Sequence, residues 1–209
     1  MDAAMKMKMA KNNRVRTRSS QGGFTLLEAL IAMVVMTVGL LSVIASLTFA
    51  MSAVQNGEYD LIARQKALEA MESIYTARNS QQPGFSFASI NNTSSGGIFK
   101  VGAQPLLCAG PDGMVGTTDD VACTTASGAT CPNGGAECMV LPGPDGVLGT
   151  ADDVTMSLGN FTRTITITQV LLPDGTVNEN MVAVTVTVAY SVAGGTHSYT
   201  TNGLISAYY

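Results

Sequence analysis

The sequence of 209 residues has no tryptophan, one histidine and few charged side chains. Charged residues make up 12% of the chain, about half of their usual share in globular domains. The single histidine, His197, argues against a His-rich metal site and is expected on a strand surface. No Ser-His-Asp set, phosphate loop or nucleotide fingerprint occurs. These absences predict a structural protein and not an enzyme.

The net charge of −4 combines two parts of opposite sign. Residues 1–23 have six basic side chains and one acid, a net of +5, whereas the remainder has five basic and fourteen acidic side chains, a net of −9. The basic ones are Lys6, Lys8, Lys11, Arg14, Arg16 and Arg18. An acidic domain repels nucleic-acid phosphates, so no nucleic-acid partner is predicted.

Residues 24–53 form an apolar run with a single charge, Glu28. About 20 helical residues cross the roughly 30 Å of membrane hydrocarbon, so the run is long enough to span. The basic residues precede it, which places the N-terminus in the cytoplasm. A signal peptide is disfavoured, because the run is too long and the Gly22-Gly23 pair comes before it. A carboxylate inside such a run is costly and indicates a function.

The segment GFTLLE, residues 23–28, follows a basic leader and opens the apolar run. This arrangement resembles the processing site of the type IV pilin-like family, which comprises prepilins and pseudopilins. The resemblance covers residues 14–53.

The resemblance implies a role for each of three residues. A membrane-embedded prepilin peptidase would cut after Gly23, removing the cytoplasmic leader 1–23, and would N-methylate Phe24. Glu28 would pair with the methylated N-terminus of a neighbouring pilin subunit. The pairing is physically reasonable, because a buried carboxylate facing a buried ammonium removes two unpaired charges.

Within the family, residues 36–47 resemble the minor pilin known as the type IV pilus modification protein. Ala45 lies where major pilins often have a proline, which also favours a minor pilin. A pseudopilin of a type II secretion system is the alternative, and a membrane-anchored calcium-binding surface protein is a more distant one. The expected location is the inner membrane as a single-pass precursor, then the pilus or the periplasm.

The pattern predicts an α+β, pilin-like fold. A helix over residues 24–79 is expected, whose first part, 24–53, serves as membrane span and assembly segment. The second part, 54–82, is amphipathic, and its stripe should pack into the core through Leu61, Leu68, Met71 and Tyr75.

A β-rich head domain is expected over residues 83–209. Residues 161–172 and 181–190 alternate between apolar and polar side chains, with a Pro-Asp-Gly turn between them at 173–175. Residues 98–107 and 197–208 are further candidate strands. Together they predict an antiparallel sheet with one face buried on the helix.

A twelve-residue repeat lies in the middle of the head domain. Residues 110–121 (GPDGMVGTTDDV) recur as 143–154 (GPDGVLGTADDV), identical at nine positions with an offset of 33. Each copy offers three carboxylates: Asp112, Asp119 and Asp120, then Asp145, Asp152 and Asp153. Carboxylate and carbonyl oxygens are what Ca²⁺ prefers, yet the EF-hand pattern is missing. Structural calcium and plain Asp-Gly turns remain alternatives.

Four cysteines, Cys108, Cys123, Cys131 and Cys138, lie close together around the first copy of the repeat. In an exported domain two disulfides are the default, although free thiols or zinc are alternatives. Cys108 and Cys123 bracket the first copy, so we predict bridges 108–123 and 131–138. The first would stabilise the fold by about 3 kcal/mol in the chain-entropy model.

The calcium alternative makes a direct prediction. If the repeats bind Ca²⁺, millimolar calcium should raise the melting temperature of the head domain, residues 54–209, because a ligand that binds only the folded state stabilises it. A calcium titration followed by thermal melting measures this, and an unchanged melting temperature contradicts calcium binding.

Overall fold

The computed structural model describes residues 23, 25–80, 85–125, 128–192 and 195–208. The chain divides into two compact units, residues 1–50 and 51–209. The predicted leader, residues 1–22, and Phe24 lie outside the described residues.

Helix α1, Leu26–Ser80, has 55 residues and ends close to the predicted position. Up to Gln55 all of its described side chains are exposed. From Ile62 onward one face is buried in the core of the second unit. The change in burial follows the change in composition, because charged residues first recur at Glu58.

The buried face of α1 differs from the predicted stripe. Leu61 and Leu68 are 67% and 44% exposed, so their prediction as core residues is wrong, whereas Met71 is buried as expected. The buried face is built mainly from small residues at spacings of four and three: Ala63, Ala67, Ala70, Ile74 and Ala77. Alanine lets the sheet approach the helix backbone closely. The predicted stripe is therefore wrong at Leu61 and Leu68, whereas Met71 is buried and Tyr75 is partly buried against the core.

A four-stranded antiparallel sheet packs on this alanine face. Its strands, in spatial order, are β1 (Gln104–Pro105), β4 (Phe161–Leu171), β5 (Val177–Val192) and β6 (Gly195–Ser206). Buried residues alternate along β4 and β5, as the sequence predicted. The turn between these strands also forms as expected, with the Gly175 N–H donating to the Leu172 carbonyl at 2.9 Å. The α+β, pilin-like architecture is thereby confirmed.

The first predicted strand, residues 98–107, is mostly irregular. Only Gln104–Pro105 pairs with β4, whereas Phe99 forms isolated bridges to Asn92 and Thr117. Gly102 adopts a positive φ of 79°, which breaks an extended strand. Two short 3₁₀ helices, Phe87–Ser89 and Thr93–Ser95, precede this segment.

A separate two-stranded ribbon consists of β2 (Cys138–Leu141) and β3 (Val154–Ser157). A four-residue helical turn, α2 (Pro132–Gly135), precedes it. The disulfides join Cys108 to Cys123 and Cys131 to Cys138, which is the pairing predicted from the sequence. His197 is exposed on β6, where its ring stacks on Tyr190 at 5.5 Å.

The alanine face of α1 makes a prediction about stability. Ala70→Leu should lower the free energy of unfolding by about 1–3 kcal/mol, because a fully buried position under the sheet has no room for the larger side chain. Urea denaturation of the detergent-solubilised chain measures this. The matched control, Leu68→Ala on the exposed face, should change stability by less than about 0.5 kcal/mol. Equal effects of the two changes would contradict the assignment of the faces.

Candidate processing and assembly site

The first turn of α1 is closed by Thr25. Its carbonyl accepts a hydrogen bond from the Ala29 N–H at 3.1 Å, and its Oγ1 accepts one from the Glu28 N–H at 3.2 Å. Thr25 is therefore the N-cap, and Glu28 lies in the first turn, where the helix dipole favours a negative charge. This role was not predicted, although Thr-x-x-Glu before an apolar run is a recognisable capping signal.

The carboxylate of Glu28 lies on an exposed side of the helix start. Within the described residues, both ion pairs are made by Lys66, so Glu28 has no cationic partner there. Its neighbours Leu26, Leu27, Leu30 and Ile31 are all exposed apolar side chains. An isolated carboxylate in such surroundings needs a counter-charge once water is removed.

Three hydroxyl groups in the apolar segment are satisfied by the helix itself. Thr37, Ser42 and Thr48 each donate to the carbonyl three residues earlier, at 2.8, 2.7 and 2.9 Å. Since hydrocarbon offers no hydrogen-bond partner, this local bonding lets polar residues lie in a membrane segment. Glu28 is the one charged side chain among residues 26–54, and a charge cannot be satisfied by the helix carbonyls in the way that these hydroxyls are.

By length and composition, α1 is the one helix in the described ranges that could cross a membrane. Its most apolar 18-residue window has a mean hydropathy of 2.5, and none of that window is buried. A helix with this surface requires a cover of lipid or of other helices. These features fit a membrane-anchored precursor.

The comparisons with known proteins agree with this region of the chain. The family model described as the prokaryotic N-terminal methylation motif matches residues 18–44. The match begins before Gly23 and includes Glu28 and much of the apolar segment. No curated protein and no solved structure matches the chain. The motif is of the prepilin type, and it suggests the type IV pilin and pseudopilin family and implies processing by a prepilin peptidase.

The two Asp/Gly repeats form loops that share most of their internal hydrogen bonds. The first Asp/Gly loop, residues 109–120, is closed by the bridge between Cys108 and Val121. The second Asp/Gly loop, residues 142–153, is closed by the equivalent pair Leu141 and Val154. The offset of 33 residues therefore holds in the structure as well as in the sequence.

In both loops the carboxylates accept hydrogen bonds from the loop itself. In the first, Asp112 accepts from the Met114 N–H at 2.8 Å, and Asp120 accepts from the Gly116 N–H at 2.8 Å. The equivalent bonds in the second reach Asp145 at 2.8 Å and Asp153 at 2.7 Å.

The remaining acid of each loop accepts from a threonine. Asp119 accepts from the Thr117 hydroxyl, and Asp152 accepts from the Thr150 hydroxyl, each at 2.6 Å. These bonds lower the pKa of Asp119 and of Asp152. Burial, together with the nearby Asp119 charge, raises the pKa of Asp112.

This bonding favours the interpretation of the repeats as structural turns. The carboxylates serve as acceptors for backbone and hydroxyl donors, which is how aspartate stabilises turns. Within the described ranges, no group of three or more His, Cys, Asp or Glu side chains is arranged to hold a metal ion. Calcium binding by the six aspartates stays a prediction.

Gly116 and Gly149 occupy equivalent positions in the two loops. Substituting each of them distinguishes backbone strain, which the loops share, from packing against the core, which they do not. Gly116 and Gly149 have φ angles of 88° and 91°, so alanine is strained at both. A Cβ on Gly116 would also lie 2.5 Å from Ile165 Cδ1, whereas one on Gly149 would meet nothing within 4 Å.

Gly116→Ala should therefore lower the free energy of unfolding by about 1–3 kcal/mol more than Gly149→Ala. The shared strain cancels in the comparison, and the difference measures the docking of the first loop on the core. Urea denaturation of both variants provides the measurement. Indistinguishable midpoints would contradict tight packing of Gly116 against Ile165, because they would mean that the terminal methyl of Ile165 moves aside without cost.

Proposed function

We propose that this protein is a structural subunit, a minor pilin, of a type IV pilus. The observation that carries the proposal is the methylation motif placed at the start of a long, exposed apolar helix. Cleavage after Gly23 would free the α-amine of Phe24 at the helix start. The apolar segment would hold the precursor in the inner membrane and later pack against other subunits in the filament.

Glu28 is the residue that would direct assembly in this proposal. The carboxylate lies in the first turn of α1 among exposed apolar side chains and has no cationic partner in the described part of the chain. A methylated ammonium of a neighbouring subunit supplies the missing charge as both groups leave water. Burying either charge alone is costly, and this cost is relieved only where the two groups face each other. The pair therefore fixes the axial register between neighbouring helices.

The resemblance of residues 36–47 to the pilus modification protein, and Ala45 in place of a proline, favour a minor pilin over a major one. A pseudopilin of a type II secretion system is the second candidate, because the same helix start serves both. The two differ in where the mature protein accumulates: on surface fibres for the pilin, and in the periplasm for the pseudopilin.

Processing is tested by mass spectrometry of the N-terminus of the protein isolated from cells. The expected mature chain begins at N-methylated Phe24. An intact Met1 would contradict the proposal, and so would a cut after the apolar run. The sheared surface fraction is examined in parallel, and a processed chain confined to the periplasm and inner membrane would favour the pseudopilin.

Assembly is tested with Glu28→Gln. The neutral amide cannot balance the ammonium of a neighbour, so this variant should be processed normally and yet fall about tenfold or more in the sheared filament fraction. Glu58→Gln, a charge change on an exposed position of the same helix in the head domain, is the matched control and should assemble normally. Normal assembly of the Glu28→Gln variant would refute the role of this carboxylate.

A further inference from the structure

Lys66 is a buried amine that reaches two carboxylates. The residue belongs to α1 and is 8% exposed. Its Nζ atom donates to Glu69 Oε2 at 2.8 Å and also to Glu137 Oε1. Glu69 lies on the same helix, whereas Glu137 lies 71 residues after Lys66, directly before β2. A buried lysine thus connects the helix with the disulfide-bonded part of the head domain.

Glu137 is held in place by its backbone. Its N–H donates to the Leu106 carbonyl at 2.7 Å, and its carbonyl accepts from the Leu158 N–H at 2.8 Å. Both leucines are fully buried, and the next residue, Cys138, is fixed by a disulfide. The Glu137 carboxylate therefore has little freedom to move away from the Lys66 amine. This is the condition under which two groups gain most in reactivity from being held together.

Arg163 of β4 lies within electrostatic reach of the same carboxylates. It is 2% exposed, and its Nε and Nη2 atoms have no hydrogen-bond partner in the described part of the chain. Burial lowers the pKa of Arg163, and the charges of Asp120, Glu69 and Glu137 oppose that change. Unused N–H donors near a carboxyl group can stabilise the oxyanion that develops during acyl transfer. The cluster therefore combines an amine, two carboxyl groups and free donors, which are the parts that amide formation requires.

We propose that Lys66 and Glu137 become joined by an amide bond once the head domain has folded. The Lys66 Nζ atom attacks Glu137 Cδ, so that an N–C bond forms and a carboxyl C–O bond breaks. One oxygen of Glu137 leaves as water with two hydrogens of the ammonium group, and the third hydrogen stays on the amide nitrogen. The ammonium and the carboxylate together contain all atoms of the two products, so no oxidant, cofactor or second protein is required.

Glu69 is the residue that moves the protons. Burial works against the charge on Lys66, but its hydrogen bonds to Glu137 and Glu69 outweigh this effect and raise the pKa of the amine. The amine is therefore charged at rest, and Glu69 serves as the base that takes its proton and as the acid that returns it to the departing oxygen. Holding the groups in contact compensates for the small fraction of free amine, because effective molarities of well-oriented intramolecular reactions reach about 10⁵–10⁸ M.

The amide attaches α1 covalently to the rest of the head domain. Both disulfides lie within residues 108–138, and neither reaches α1. The buried face of the helix otherwise meets the sheet through side-chain packing. In the filament proposed above, on which this consequence rests, tension carried by α1 would pass into the head domain through a covalent bond.

The mass of the intact full-length chain, purified from cells, tests the proposal. With both disulfides in place, the chain should be lighter than its sequence requires by the mass of one water molecule. Tryptic digestion after reduction should give a branched product that joins residues 65–78 to residues 101–163, because trypsin does not cut after an acylated lysine. A chain of full mass, whose tryptic peptides end at an unmodified Lys66, would overturn the proposal.

Three variants identify the groups that react. Lys66→Arg retains the positive charge but cannot form the amide, so this chain should have its full mass. Glu69→Gln lacks the base and should form the link about 100-fold more slowly or worse, which a time course of the linked fraction in newly made chains measures. Glu72→Gln, an exposed acid on the same helix, is the matched control and should form the link at the normal rate. A loss of water that persists in Lys66→Arg, or equal rates for Glu69→Gln and Glu72→Gln, would each contradict the proposal.

The same spectra separate this inference from the proposed function. The link forms within one head domain, so it does not require assembly of a filament, and the N-terminus is determined from the same digest. A processed chain without the Lys66–Glu137 link leaves the pilin proposal intact and refutes the amide. An unprocessed chain that contains the link refutes the pilin proposal and supports the amide.

Discussion

The head domain depends on the close approach of the sheet to a helix face made of alanine. Ala63, Ala67 and Ala70 are fully buried, and Val184, Val186 and Val188 of β5 are fully buried in the same core. Small side chains on the helix leave room for branched ones on the strands, which gives dense packing without voids. The aromatic side chains Tyr59, Phe161 and Tyr190 pack at one part of this core with ring centres 5.4–5.9 Å apart.

The same choice of residues leaves the larger leucines of the helix outside. A helix that placed Leu61 and Leu68 inward would hold the sheet farther away. With the alanines inward, both leucines become surface, and the surface between them acquires an arginine. The core packing and the exposure of the two leucines therefore both follow from the orientation of the helix about its axis.

Much of the architecture could be predicted because its signals are local. Alternation along residues 161–172 and 181–190 identified two strands, and the long apolar run identified the helix. The helix face could not be predicted by size alone, since alanine contributes little to an apolar stripe and yet decides how near the sheet can come. The strand predicted over residues 98–107 is mostly irregular, because Gly102 adopts a positive φ in the middle of this apolar stretch.

For the candidate site, the sequence indicated Gly23, Phe24 and Glu28 through their order and the charge of the leader. The capping role of Thr25 could also have been predicted, because it follows from a fixed spacing to Glu28. The different environments of the two loops could not be predicted from the sequence. Nine of twelve residues are identical, so the difference arises from what lies opposite each loop, and contacts between distant segments leave no mark on a local pattern.

The short span of the two disulfides bears on the order in which the head can form. They join residues 15 and 7 positions apart, so each can close soon after its segment emerges. The buried face of α1, in contrast, emerges early and must wait for β4, β5 and β6, which lie between Phe161 and Ser206. Long-range pairing of this kind is the slow step of folding, and exposed apolar surface is vulnerable until it is complete. An alanine-rich helix face exposes less apolar area than a leucine stripe, which suits a face that has to remain uncovered while the rest of the chain arrives.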